Sequence, residues 1–156
     1  MERQIIDKEA ITATVFEFGA RPEMLVQILQ AIVMRHGWVS EEAVRQLADD
    51  LNLSRADVHG VVSYYHDFRT EAPGRHIVKI CQAEACQAMG SRALTRHAET
   101  SLGTDMHGTR ADVTLEPVYC LGNCACAPAV MIDGKTHGRV TAGHFDRLVS
   151  LLKEAG

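Results

Sequence analysis

The five cysteines of this chain all fall between Cys81 and Cys126, in two close groups. Cys81 and Cys86, within CQAEACQAMG, have four residues between them; Cys120 and Cys124, within VYCLGNCACAPAVMIDG, have three. Nothing else in the sequence restricts the fold so tightly. Two groups so far apart can serve one centre only if the chain folds back and brings two loops to the same place. Four thiolates from two loops can enclose a metal centre, and these spacings suit a [2Fe–2S] cluster, for which four cysteines are the common ligand set. A structural zinc site also takes four cysteines, in pairs about two to four residues apart, and stays open as a rival. A thiol–disulfide enzyme ranks third, because no C-x-x-C motif is present. Cys126 stands in a C-x-C arrangement with Cys124. It could serve as an alternative ligand, but a small residue packed beside the centre is the preferred reading. The eight histidines are scattered and read as surface or packing residues.

Composition narrows the class. With 156 residues, the chain can form one ordinary domain, or a small domain with a helical extension. A hydrophobic share of 46% is that of a globular protein. The net charge of -4 argues against nucleic acid as a partner, which calls for a basic patch or stripe. No apolar run approaches the ~20 residues that cross a bilayer, so no membrane insertion is expected. The start, MERQIIDKEA, lacks the basic region and apolar core of a signal peptide. An odd cysteine count without an export signal fits metal binding in a reducing compartment better than a disulfide framework. The expectation is a soluble, cytoplasmic protein.

Patterning divides the chain into a helical bundle at 1–70 and an α/β domain at 71–156. Residues 1–20 are weakly patterned. A first clear helix opens at Pro22, suited to the first helical position, and Leu25, Ile28, Leu29, Ile32 and Val33 line one face before Gly37 closes it. Ser40 is a good N-cap for a second helix, with Glu41 and Glu42 at its positive end and a stripe of Val44, Leu47 and Leu51. Ser54 and Asp57 form a near variant of the capping box, and Val58, Val61, Val62 and Tyr65 are expected to supply the buried face of a third helix. Tyr64, Tyr65 and Phe68 read first as helix-end core and surface packing and second as a docking surface. Pro73 and Gly74 mark a linker.

Beyond the linker the period changes. His76–Cys81 alternates and leads, as a strand, straight into the first cysteine. Ser91 can cap a helix through Leu102, with Leu94 and Ala98 on one face. Val113–Tyr119 reads as a strand leading into the second pair. Ala129–Ile132 and Gly138–Val140 flank the turn signal Asp133-Gly134, in a hairpin whose loop is expected to exceed two residues. Thr141 can cap a last helix with Phe145, Leu148, Val149 and Leu152 facing inward. The fold class is α/β, a small sheet with helices against it, of thioredoxin-like type.

Both cysteine pairs are thus expected just past strand ends. Gly122 lets the second loop wrap tightly and aim backbone N–H groups at sulfur. The helix after Cys86 is expected to turn its positive end toward an anionic centre. No G-x-G-x-x-G, phosphate loop or nucleophile elbow accompanies the cysteines, and Met89-Gly90-Ser91 is no more an anion site than most helix starts. A redox centre with no substrate pocket needs a donor and an acceptor. That points to a subunit of a larger enzyme, with no catalytic site of its own.

At these residues the sequence resembles a known family. The helical start, C-x₄-C, then C-L-G-N-C and A-P-A, are similar to the 24 kDa-type [2Fe–2S] subunit of respiratory complex I. The resemblance runs from about Pro22 to Leu152. It implies a thioredoxin-like ferredoxin domain behind a helical bundle, with ligands at Cys81, Cys86, Cys120 and Cys124 and with Cys126 outside that set. Within the family, CQAEACQAMG and YCLGNCACAPAV most resemble the gamma subunit of NAD-dependent, molybdenum-containing formate dehydrogenase; the NAD-linked bidirectional hydrogenase uses a similar subunit. The resemblance further implies a partner subunit with FMN and the NAD site. A further subunit would carry the molybdenum cofactor and additional Fe–S clusters.

Overall fold

A computed structural model describes residues 7–154. The chain divides into two compact units between Ala72 and Pro73. The first is all helix: α1 (Lys8–Glu17), α2 (Leu25–His36), α3 (Glu41–Leu51) and α4 (Arg55–Tyr64). A short 3₁₀ turn at Pro22–Met24 leads into α2, and Gly37, at φ +85°, ends it by returning its N–H to the Val33 carbonyl at 2.8 Å. The Ser40 hydroxyl accepts from the Ala43 N–H at 3.0 Å. At α4 the box is complete, with the Ser54 hydroxyl accepting from Asp57 N–H and the Asp57 carboxylate from Ser54 N–H.

Helix α1 departs from expectation. Part of the weakly patterned start, Ile5 and Ile6, lies outside the described residues, but Asp7 caps a regular helix that buries Ile11, Thr14 and Val15. Thr14 takes a core position that an apolar residue would normally mark, and it is satisfied there: its hydroxyl donates to the Ala10 carbonyl and accepts from Arg35. That single polar residue breaks the apolar stripe. A further correction concerns the end of α4. Tyr65 is exposed, not part of the buried face, because the chain leaves helical geometry there. Phe68, by contrast, packs into the helix-end core as expected, buried with Ile28, Leu47 and Val58.

The second unit runs β1 (His76–Cys81), α5 (Glu84–Ala88), α6 (Ser91–Leu102), β2 (Thr109–Arg110), β3 (Val113–Val118), β4 (Val130–Ile132), β5 (Lys135–His137) and α7 (Ala142–Glu154). The sheet order is β2-β3-β1-β4-β5. β1 and β3 are parallel, from His76 against Val113 to Cys81 against Val118, so the crossover through α5 and α6 returns the chain to the same end of the sheet. β4 runs antiparallel on the other side of β1, with Ile80 opposite Val130. Side chains alternate along β1. Val78 and Ile80 enter the core with Leu115, Val130, Leu94 of α6 and Phe145 of α7, while Lys79 pairs with Glu116 on the other face.

The hairpin is tighter than expected. Asp133 and Gly134 alone form the loop, at φ +48° and +82°, and β5 starts at Lys135 rather than Gly138. Positive φ at both positions is the turn whose twist matches paired strands. Asp133 also caps β1: its carboxylate accepts from the Ile77 N–H at 2.8 Å.

Candidate metal centre

Cys81 is the last residue of β1, and its N–H donates to the Ala129 carbonyl at 3.1 Å. The next residue, Gln82, donates its N–H to the Val118 carbonyl at 2.7 Å. The first cysteine is therefore fixed between the two neighbours of the central strand. Cys86 follows within α5, a short helix not foreseen from the sequence. Both cysteines are 1% exposed and share a small apolar cluster with Ala127 and Ala129. Cys81 has the opposite parity to Val78 and Ile80, so strand alternation carries it out of the main core and into this second cluster.

Cys120 and Cys124 belong to the loop after β3 and are both exposed. Cys120 holds φ +137°, an unusual conformation for a residue with a side chain, and Gly122 holds +70°. The loop curls back so that the Gly122 N–H donates to the Cys120 sulfur at 3.3 Å. The Cys120 and Cys124 sulfurs lie 3.8 Å apart. Two thiolates at about 2.3 Å from one tetrahedral ion stand about 3.8 Å apart, so this pair has the spacing of two ligands on one metal.

The two pairs converge. Burial pushes the Cys86 thiol above the usual range, and neighbouring Cys81 and Cys124 push the same way, against a hydrogen bond from the Ala129 backbone. The Cys124 thiol is raised mainly by its hydrogen bond and charge interaction with Cys120, with burial and Cys81 adding to it. Neighbouring thiols that resist deprotonation together are relieved by a cation, which neutralises their mutual repulsion. The thiols are held as two pairs, Cys81 beside Cys86 and Cys120 beside Cys124. Four cysteines are the common ligand set of a [2Fe–2S] centre, and these four thiols would supply it. The donor set fits a [2Fe–2S] cluster.

Cys126 is half-buried at the end of a 3₁₀ turn, Cys124–Cys126, and its carbonyl accepts from the Arg139 N–H at 2.6 Å. Gly138 packs so closely that an added Cβ would lie 2.7 Å from the Cys126 Cβ. Sequence reading did not reach Ser91 as a partner of the site. It stands at the first position of α6 behind Gly90, fully buried, and its hydroxyl donates to the Cys81 carbonyl at 2.5 Å. A serine at a helix start signals a cap, and nothing local shows that it is spent on a strand instead.

The thioredoxin-like [2Fe-2S] ferredoxin family model matches residues 11–153. The chain belongs to that family. It is a [2Fe–2S] protein, and its role is electron transfer of the kind found in subunits of oxidoreductases. A NADH-quinone oxidoreductase subunit of Pseudomonas aeruginosa is 36% identical over 117 residues, 74% of this chain and 70% of that one. The corresponding NADH-quinone oxidoreductase subunit of Escherichia coli K12 is 29% identical across 97% of this chain and 93% of its own length. One from Rhizobium meliloti is 30% identical across 95% and 89%. The crystal structure of an air-oxidized NAD+-reducing [NiFe]-hydrogenase shares the fold, with a TM-score of 0.67 at 22% identity. The likeness covers 81% of this chain but only 23% of the hydrogenase chain. Among the described residues, no helix is long and apolar enough to cross a membrane.

Proposed function

We propose that Cys81, Cys86, Cys120 and Cys124 hold the [2Fe–2S] cluster and that the chain serves as its electron-transfer subunit in an NAD-linked oxidoreductase. More narrowly, the complex is an NAD-dependent, molybdenum-containing formate dehydrogenase, which converts formate and NAD+ to CO2 and NADH. The convergence of two thiol pairs, one already at metal-sharing distance, carries the ligand assignment. The narrower reading is supported by the resemblance of CQAEACQAMG and YCLGNCACAPAV to the gamma subunit of such enzymes. When bound, the cluster takes up and releases one electron at a time. The chain's own residues do the rest: β1 and α5 bury one side of the centre, and the Cys120–Cys124 loop leaves the other open to a partner.

The partners are a flavin subunit carrying FMN and the NAD site, and a catalytic subunit carrying the molybdenum cofactor and further Fe–S clusters. Residues 1–70 form the docking bundle and 71–156 the cluster domain. Tyr64, 76% exposed, and Tyr65 beside it supply the docking surface, with Phe68 supporting them from within. Assembly of a chain lacking residues 1–70 as efficiently as the full chain would refute this.

A second reading, the equivalent subunit of a complex I-type enzyme or an NAD-linked hydrogenase, is favoured by the NADH-quinone oxidoreductase relatives. Electron paramagnetic resonance of the reduced chain, with iron and sulfide analysis, tests the cluster; a colourless, zinc-loaded chain would replace it with a structural zinc site. Purification of the native complex then decides between the enzymes. Formate-dependent NAD+ reduction supports the first reading, and its absence beside quinone or hydrogen activity supports the second.

A further inference from the structure

All four backbone polar groups of Cys81 and Gln82 are engaged, each by a different partner. The two N–H groups go to the Ala129 and Val118 carbonyls. The two carbonyls are held from the helical side. Ser91 Oγ donates to the Cys81 oxygen at 2.5 Å, and Gln87 Nε2 donates to the Gln82 oxygen at 2.6 Å. These donors are themselves fixed. Arg92 Nε and Nη2 both donate to Gln87 Oε1, at 3.0 and 2.6 Å. Thr95 Oγ1 donates to the Ser91 carbonyl at 3.0 Å and accepts from Gln82 Nε2 at 2.8 Å. No side chain caps α6. The Ser91 hydroxyl is thus aimed at the strand end rather than at its own helix.

We propose that Ser91 is a positioning residue for the buried half of the metal centre, holding the Cys81 peptide so that the Cys81 thiolate keeps its place beside Cys86. The inference rests on the ligand assignment above. A buried carbonyl that loses its donor must shift to find another or stay unpaired at a cost. Cys81 has little freedom to shift without carrying its sulfur along, because carbonyl and side chain share one α-carbon. Groups that orient ligands in this way typically govern metal retention by about 10–100-fold.

The test uses the full chain, reconstituted with iron and sulfide, as wild type and as the Ser91→Ala, Thr95→Val and Cys81→Ser variants. Ser91→Ala is expected to bind the cluster, to lose its visible absorption to a chelator about tenfold faster, and to show shifted g values and an altered midpoint potential. Thr95→Val keeps the Ser91–Cys81 bond but cuts the link to Gln82, and a smaller change in the same direction is expected. If Ser91→Ala lowers only the melting temperature, with wild-type spectrum, potential and loss rate, Ser91 merely supports the fold and the inference is overturned. Should Ser91→Ala fail to fold, Ser91→Cys decides, since it keeps the side chain's size but offers only a weak donor to the Cys81 carbonyl: changed line shape and faster loss support the inference, and unchanged values overturn it. Retention of the cluster by Cys81→Ser would bring down the ligand assignment and this inference with it. A wild-type-like Ser91→Ala beside a cluster-free Cys81→Ser overturns this inference alone.

Discussion

The two thiol pairs are chemically alike and held in opposite ways. Cys81 and Cys86 are buried, seated on the end of a central strand and on a short helix, with packing from Ala127 and Ala129. Cys120 and Cys124 are exposed, on a loop shaped by positive φ at Cys120 and Gly122. The first pair inherits its geometry from the sheet and its hydrogen bonds; the second owes its geometry to a few local backbone angles. Damage to the fold and damage to the loop therefore reach the centre by separate routes.

The largest effects should come from replacing the thiols themselves. Cys81→Ser and Cys120→Ser are each expected to abolish the reduced-state paramagnetic signal. They should differ in the metal-free chain. At position 81 the serine hydroxyl enters an apolar cluster, costing about 1–3 kcal/mol and lowering the denaturant midpoint, while at position 120 it meets solvent and leaves the midpoint in place. Equal midpoints would break the comparison.

Gly122→Ala sharpens it. No atom lies within 4 Å of the added Cβ, so only the left-handed backbone resists, by about 1–2 kcal/mol. Without the metal the exposed loop is free to leave the left-handed conformation, so faster cluster loss is expected with little change in the metal-free midpoint; a matching fall in the midpoint would mean that the loop is tied to the sheet. In the helical unit, Gly60 sits inside α4 with open space around it, so Gly60→Ala should raise stability by about 0.5–1 kcal/mol. Its paramagnetic spectrum should match wild type, and a shifted spectrum would contradict a centre governed only by the two routes above.

The smallest effect concerns acid. Hydrogen bonds from Arg35 and from Lys8 hold the Glu17 and Glu42 carboxyls below the usual carboxylate range. A carboxylate depressed in the folded state stabilises it above the unfolded-state value, and that contribution is lost as pH falls through the folded value. Both groups are exposed, so the loss is slight. Unfolding midpoints followed below about pH 4 should decline less steeply in Glu17→Gln than in wild type, and identical slopes would remove Glu17 from the account.

Much of this was legible in the sequence for physical reasons. Ser40, Ser54 and Gly37 act through local hydrogen bonds and local φ values, so their meaning survives without a fold. The alternation of His76–Cys81 and the apolar stripes of α2 and α6 likewise report burial directly. What escaped depends on partners distant in sequence. Thr14 is a core residue because Arg35 reaches it, and Ser91 serves β1 because the crossover brings α6 to that strand end. The hairpin was misjudged because Lys135, Thr136 and His137 look like loop residues. They pair as an edge strand, where polar side chains are tolerated and even protective.

Parallel pairing of β1 with β3 also fixes an order in time. A hairpin such as β4–β5 closes locally and fast, but Cys81 and Val118 meet only after the whole crossover through α5 and α6 has been laid down, and closure of so long a loop is slow. Iron reaching the nascent chain before that event would find isolated half-sites of two thiols each. Pairing of β1 with β3 and completion of the proposed four-thiol set are therefore coupled, each favouring the other.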